Sequence, residues 1–215
     1  MFFKYLIAPL ILAASAIGAP VELEARQSCS ALQLVHVAGT TEIGLGVVGT
    51  PLALALAASG ATTKPITYDT TAEYIVTVAA GAALTEAYLR LQSAACPNQH
   101  FVLSGYSKGA LVLHGKYLFL ALSDSLNLSS ALKSKIASIL VFGDPARNIN
   151  SPWPINNPSV DLAPKDGSSS SQNIASFCNT GDLFCAIPGY SLPAHLAYPT
   201  DGSIGVAAAF AKARL

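Results

Sequence analysis

Residues 101–110 constrain the fold more than any other stretch. Phe101 to Leu103 is an apolar run. It leads into Gly105-Tyr106-Ser107-Lys108-Gly109, and an apolar stretch rich in helix formers follows from Ala110 to Leu122. A Gly-x-Ser-x-Gly pentapeptide between a strand and a helix is a nucleophile elbow. The turn is tight, so side chains at Gly105 and Gly109 would meet neighbouring backbone. The serine is pushed out above the carboxyl edge of a sheet, where the following helix points its first N–H groups at developing negative charge.

The rest of the chain agrees with such a turn. Leu32 to Val37 and Ile136 to Phe142 are apolar runs of strand length, and Pro65 to Tyr68 and Ile174 to Phe177 read as shorter strands. Between them, Val47 to Ala58, Thr71 to Ala94 and Lys108 to Leu122 read as helices, and Ser203 to Leu215 closes the chain as another. Strands alternating with helices predict a parallel sheet covered on both faces. No internal repeat is visible. Asn148 to Gln172, rich in Pro, Asn and Ser, reads as a long surface loop because the strand pattern resumes after it.

An elbow serine needs a base and an orienting acid, in chain order Ser, Asp or Glu, then His. Serine is a weak nucleophile until an imidazole takes its proton. Of His36, His100, His114 and His195, only His195 follows Ser107 with an acid in between. His36 and His114 read as packed or surface residues, and His100 as exposed. The acids available are Asp124, Asp144, Asp161, Asp166 and Asp182. Asp182 stands out because it sits inside Cys178-Asn179-Thr180-Gly181-Asp182-Leu183-Phe184-Cys185, where a local bridge would hold it rigidly. Asp144 is the rival, since it follows a strand end, although Asp144-Pro145 also reads as a turn.

Met1 to Ala19 has one lysine, a short apolar run and small residues near its end, and reads as a secretory signal peptide rather than a membrane anchor. Pro20 to Arg26 reads as a pro-segment ending at a basic cleavage site, which leaves 27–215 as a single domain. Asn127-Leu128-Ser129 is an N-glycosylation acceptor in a secreted chain. Four cysteines after a signal peptide imply two disulfides in an oxidising compartment. They allow three pairings. Cys178 and Cys185 are close enough to clip a local loop, which leaves Cys29 with Cys96. The spacings do not repeat and no histidine sits at ligand spacing, so no zinc site is expected. The twelve basic and twelve acidic side chains cancel, and no basic field for nucleic acid or an anionic membrane is present.

Taken together, Gly105-Tyr106-Ser107-Lys108-Gly109-Ala110, the Cys178 to Cys185 octapeptide, His195-Leu196-Ala197-Tyr198 and the position of Cys96 eleven residues before Ser107 resemble the cutinase family of serine esterases. This family includes cutinases, cutinase-like polyesterases and acetylxylan esterases. The resemblance runs from about Cys29 to Leu215. It implies a lidless α/β-hydrolase fold, a three-layer α/β/α sandwich around a five-stranded parallel sheet. It also implies a Ser107–His195–Asp182 triad, the two disulfides named above, and no metal or organic cofactor. The family's oxyanion hole corresponds here to Thr40, by N–H and hydroxyl, and to the N–H of Lys108.

Three departures accompany it. Thr40 stands for the usual Ser, Ala38 for the usual Arg, and Lys108 for the usual Gln. The Lys108 side chain is expected to be solvated, with its backbone alone at work. The sharper alternative is that it adds positive potential near the oxyanion. Leu183, Phe184, Ile187 and Leu192 are expected to form an apolar rim for acyl chains. The expected activity is hydrolysis of cutin-like polyesters and short- to medium-chain acyl esters by a secreted monomer. The alternatives are an acetylxylan esterase and a non-catalytic secreted binding protein on the same scaffold.

Overall fold

The computed structural model describes residues 29–114, 128–149, 153–155, 159–162 and 172–215. The signal and pro-segments, Asp124, Asn127, Asp166 and the C-terminal part of the helix expected up to Leu122 lie outside them. In chain order the elements are β1 (Leu32–Val37), α1 (Gly46–Ala57), β2 (Thr62–Pro65), α2 (Ile75–Ala95), β3 (His100–Tyr106) and α3, described over Lys108–His114. Then come α4 (Ser130–Lys133), β4 (Ile136–Phe142), β5 (Ser159–Leu162), β6 (Ile174–Phe177), α5 (Leu192–Leu196) and α6 (Ser203–Lys212).

The strands form one sheet in the order β2-β1-β3-β4-β6-β5, and every pair is parallel. Every strand therefore ends at the same edge. The inner strands are buried on both faces, which explains why their sequences are near-continuous apolar runs. Their side chains divide by the two-residue period of a strand. Val35, Val37, Phe101, Leu103, Ile139 and Val141 pack against α2 and α3 through Val78, Leu89 and Ala110 to Leu113. Leu32, Leu34, Val102, Leu140, Phe142 and Phe177 face α1 and α6 through Val48, Leu52, Leu56, Ala207, Phe210 and Ala211. The result is three layers, α/β/α.

Among the described residues the sheet has six strands, one more than expected. The extra strand, β5, lies in the stretch read as a surface loop and pairs with the outer side of β6. Ser159-Val160-Asp161-Leu162 has the alternating polarity of an edge strand, a pattern too short to separate from a loop. The second strand also falls earlier than expected, at Thr62–Pro65. It is an edge strand with partly exposed side chains, so the apolar signal at Ile66 and Tyr68 marks the packing after it. Pro65 is tolerated at its end because an edge strand lacks a partner on one side.

From β1 the chain steps outward to β2 and then returns across β1 to form β3. The crevice at the carboxyl ends of β1 and β3 is thus a topological switch point, the usual position of a site in an open α/β sheet. The loop holding Thr40 leaves β1 there, and Ser107 follows β3. Both cysteine pairs are bridged, Cys29 to Cys96 and Cys178 to Cys185. No helix among the described residues is long and apolar enough to cross a membrane.

Candidate active site

Ser107 occupies the left-handed region, with φ of 52°. A non-glycine residue there is uncommon, and it is held here by the turn. Its N–H donates to the carbonyl of Phe142 at 2.9 Å, tying the elbow to the end of β4. A Cβ on Gly105 would stand 2.6 Å from the carbonyl oxygen of Gly109. One on Gly109 would penetrate the carbonyl of Val37. Both glycines are therefore steric requirements, and the close approach of Gly109 seats the first turn of α3 on the end of β1.

His195 is carried by α5, a short helix started by Ser191, whose hydroxyl accepts from the Ala194 N–H at 3.1 Å. Its ring Nδ1 bonds both carboxylate oxygens of Asp182, at 3.0 and 2.9 Å. That places Nε2 on the ring edge away from the carboxylate. The ring stacks on Tyr106, the residue before Ser107, with centroids 5.1 Å apart, and the Tyr106 hydroxyl donates to the His195 carbonyl at 2.9 Å. No hydrogen bond joins Ser107 Oγ to His195 among the described residues. Such contacts commonly tighten only once substrate is bound.

Asp182 is fully buried within its disulfide loop. Besides His195, it accepts from the Phe184 N–H at 2.8 Å, the Cys185 N–H at 3.4 Å and the Tyr198 hydroxyl at 2.5 Å. Burial works to raise its pKa, but the hydrogen bonds from His195, Tyr198 and Phe184 outweigh it and hold the carboxyl below the ordinary aspartate value. The group is a carboxylate at neutral pH. Burial, followed by the neighbouring Asp182, pushes the Tyr198 hydroxyl up, so it stays a donor. Gly143, with φ of +57°, lies directly against the His195 ring.

The rival acid is used elsewhere. Asp144 bonds His114 Nε2 at 2.9 Å in a buried pair, with Trp153 packed on the imidazole at 3.9 Å between centroids. Its other oxygen accepts from the Ala146 N–H at 2.8 Å and forms the turn. Asp161 is exposed and pairs with Arg147 at 3.2 Å. His36 is buried between β1 and α1, and burial lowers its pKa to about 3. His100 is exposed.

The Thr40 and Tyr74 hydroxyls share a hydrogen bond of 2.6 Å in which either can be the donor. Glu42 stiffens the same loop by accepting from the Gly39 N–H at 2.6 Å and the Val47 N–H at 2.8 Å. The expectation of a solvated Lys108 side chain is corrected. The residue is fully buried, and its ammonium donates to the carbonyls of Asp69, Thr71 and Glu73. Burial lowers its pKa, and the nearby Asp69 and Glu73 carboxylates oppose that shift.

Leu183, Phe184, Ile187 and Leu192 are all exposed. Phe184 meets the His195 ring edge to face at 4.5 Å. Ile187 instead lines a separate depression of about 390 Å³ with Arg147, Asn148 and Tyr190, whose walls include neither Ser107 nor His195. Tyr106, Gly143, Tyr74 and the Tyr198 hydroxyl belong to the site yet were given no role by sequence reasoning. Tyr106 adjoins Ser107, Gly143 follows β4 and Tyr198 lies close to His195 in sequence, but Tyr74, just before α2, carries no such signal.

An all-parallel sheet with helices on both faces and a strand–serine–helix elbow defines an α/β hydrolase. A family model described as Cutinase matches residues 28–215. A cutinase from Kineococcus radiotolerans is 31% identical over 196 residues, covering 86% of this chain and 61% of that protein. Cutinase CUT1 of Coprinopsis cinerea is 33% identical over 199 residues and 88% of each chain. Among solved structures, the catalytic core domain of acetyl xylan esterase from Trichoderma reesei superposes with a TM-score of 0.69 at 23% identity, covering 87% of this chain and all of that one. The chain belongs to the cutinase family of carboxylic ester hydrolases.

Proposed function

We propose that this protein is a secreted serine esterase that cleaves carboxylic esters through Ser107, His195 and Asp182. The observation that carries this reading is the buried Asp182–His195 pair, stacked on the residue that precedes a strained elbow serine. His195 Nε2 takes the Ser107 proton as Oγ attacks the ester carbonyl. Asp182 holds the Nδ1–H tautomer and stabilises the imidazolium. The N–H groups of Thr40 and Lys108 and the Thr40 hydroxyl receive the oxyanion. Collapse of the tetrahedral intermediate expels the alcohol, protonated by His195. Water, deprotonated by the same imidazole, then releases the acid from the acyl-enzyme.

The preferred substrates are cutin-like polyesters and esters of short- to medium-chain acids. The support is the exposed apolar surface of Leu183, Phe184 and Leu192, of which Phe184 meets the His195 ring. Secretion is supported by residues 1–19 and by the two disulfides. The test is hydrolysis of p-nitrophenyl acetate, butyrate and palmitate beside a Ser107→Ala control. We expect butyrate turnover, with kcat reduced on the order of 10⁶-fold in the control. Activity on acetyl esters and acetylated xylan alone would favour an acetylxylan esterase. No turnover on any ester would refute the enzyme reading in favour of a binding protein.

A further inference from the structure

We propose that the Lys108 side chain is a positioning residue of the oxyanion hole, acting through the Asp69–Glu73 turn and Tyr74 on the Thr40 hydroxyl. The inference rests on the esterase reading above.

A lysine is rarely buried without a compensating set of partners. Lys108 has a full set. Its three N–H donors meet three backbone carbonyls, those of Asp69 at 3.0 Å, Thr71 at 2.6 Å and Glu73 at 2.8 Å. The ammonium also stands 5.5 Å from the ring centre of Tyr68 and 5.1 Å from that of Tyr74, within cation–π range. Carbonyls at residues 69, 71 and 73 converge on one point only if the turn is wrapped around it. The lysine therefore organises the turn, and Tyr74 follows it directly.

That turn is docked in its turn onto the Thr40 loop. The Thr41 N–H donates to the Thr70 carbonyl at 2.7 Å, and the Thr70 hydroxyl to the Glu42 carbonyl at 2.8 Å. The Tyr68 hydroxyl donates to the Ala38 carbonyl at 2.7 Å. Thr41 itself has φ of 64°, a conformation a β-branched residue adopts only under constraint. The last link is the 2.6 Å contact between the Tyr74 and Thr40 hydroxyls. Thr40 can give its proton to an oxyanion only if Tyr74 donates to Thr40 Oγ1. The aim of Tyr74 thus decides whether the hydroxyl is an oxyanion donor.

The same residue then serves both halves of the hole. The Lys108 backbone N–H is one donor, and its side chain orients the other. A glutamine at this position is shorter, uncharged and has two N–H donors, so it cannot hold three carbonyls. In this chain the orientation of Thr40 depends on the lysine.

A double-mutant cycle tests this with p-nitrophenyl butyrate, using Lys108→Gln, Thr40→Val and the pair. Lys108→Gln is expected to lower kcat about tenfold with KM within about twofold, the signature of a contact made in the transition state. Thr40→Val should cost about 10²-fold, and adding Lys108→Gln to it should cost less than about twofold more. An undiminished tenfold loss in the Thr40→Val background, or a wild-type kcat for Lys108→Gln, overturns the proposal. Tyr74→Phe removes only a hydroxyl, so it guards against a misfolded Lys108 variant. It should reproduce the kcat loss with an unchanged melting temperature, and wild-type turnover in it also overturns the proposal. Retained turnover in Ser107→Ala would sink the esterase reading itself. A normal Ser107→Ala loss with an additive cycle sinks only the role of Lys108.

Discussion

Gly143→Ala is the most direct probe of whether the position of His195 sets the rate. A Cβ at residue 143 would lie 2.5 Å from His195 Cε1, 2.6 Å from Nδ1 and 3.2 Å from Tyr198 Cε2. Ordinary contact begins near 3.4 Å, so the imidazole must withdraw by about 0.9 Å. It has little room to do so, with Tyr106 stacked on it and Asp182 gripping Nδ1. A displacement of about 1 Å in a catalytic group costs about 10²-fold in rate. The backbone adds its own penalty of about 1 kcal/mol, since alanine is strained at φ of +57°. We expect kcat for p-nitrophenyl butyrate to fall about 10²-fold, KM to stay within about twofold, and urea unfolding to show a loss of about 1–3 kcal/mol. A folded variant whose kcat stays within about threefold of wild type would show that the reasoning about the His195 ring is wrong.

Tyr198→Phe removes a charge-assisted hydrogen bond from a buried carboxylate and orphans the Asn179 N–H, which should cost about 2–4 kcal/mol at pH 7. The folded-state pKa of Asp182 is lowered, so its contribution is present above the unfolded carboxyl pKa and lost as pH falls through the folded value. The variant's deficit should therefore shrink in strong acid, and an equal deficit at pH 7 and below pH 3 would refute this account. His36 acts in a different window. Its pKa is lowered to about 3, so between about pH 6.5 and 3 the unfolded chain binds a proton that the folded one does not. Stability should fall by about 5 kcal/mol across that window, and His36→Leu should flatten the fall in acid titrations monitored by circular dichroism. The two bridges should separate by assay. Replacing Cys29 and Cys96 with alanine opens a 68-residue loop and should cost about 4 kcal/mol, with kcat nearly unchanged. Replacing Cys178 and Cys185 opens an eight-residue loop, costing only about 2.5 kcal/mol, but should lower kcat more because Asp182 sits inside it.

Much of this molecule was legible without coordinates, where short-range rules apply. The inner strands β1, β4 and β6 were found at their observed bounds, because a strand buried on both faces is a near-continuous apolar run with only an occasional polar residue. The elbow was legible because its glycines are demanded by local backbone clashes. The cysteine pairing followed from chain spacing. Edge strands β2 and β5 were shifted or missed, because half-exposed strands carry no such signature.

Tertiary structure decided the rest. Asp144 and Asp182 both follow strands, and only the packing of α5 against the disulfide loop brings His195 to Asp182 and leaves Asp144 to His114. Lys108 read as a solvated cation because nothing near it in sequence could satisfy an ammonium. Its partners lie 35 to 39 residues earlier, in a turn that reaches it only after β2, α2 and β3 have folded. The sequence by itself determined the fold class, the elbow and the cysteine pairs, and it singled out His195 as the candidate base, since each rests on periodicity, local sterics or chain order. Which carboxylate grips that histidine, and what the buried ammonium holds, depend on contacts between distant segments, which only the folded sheet brings together.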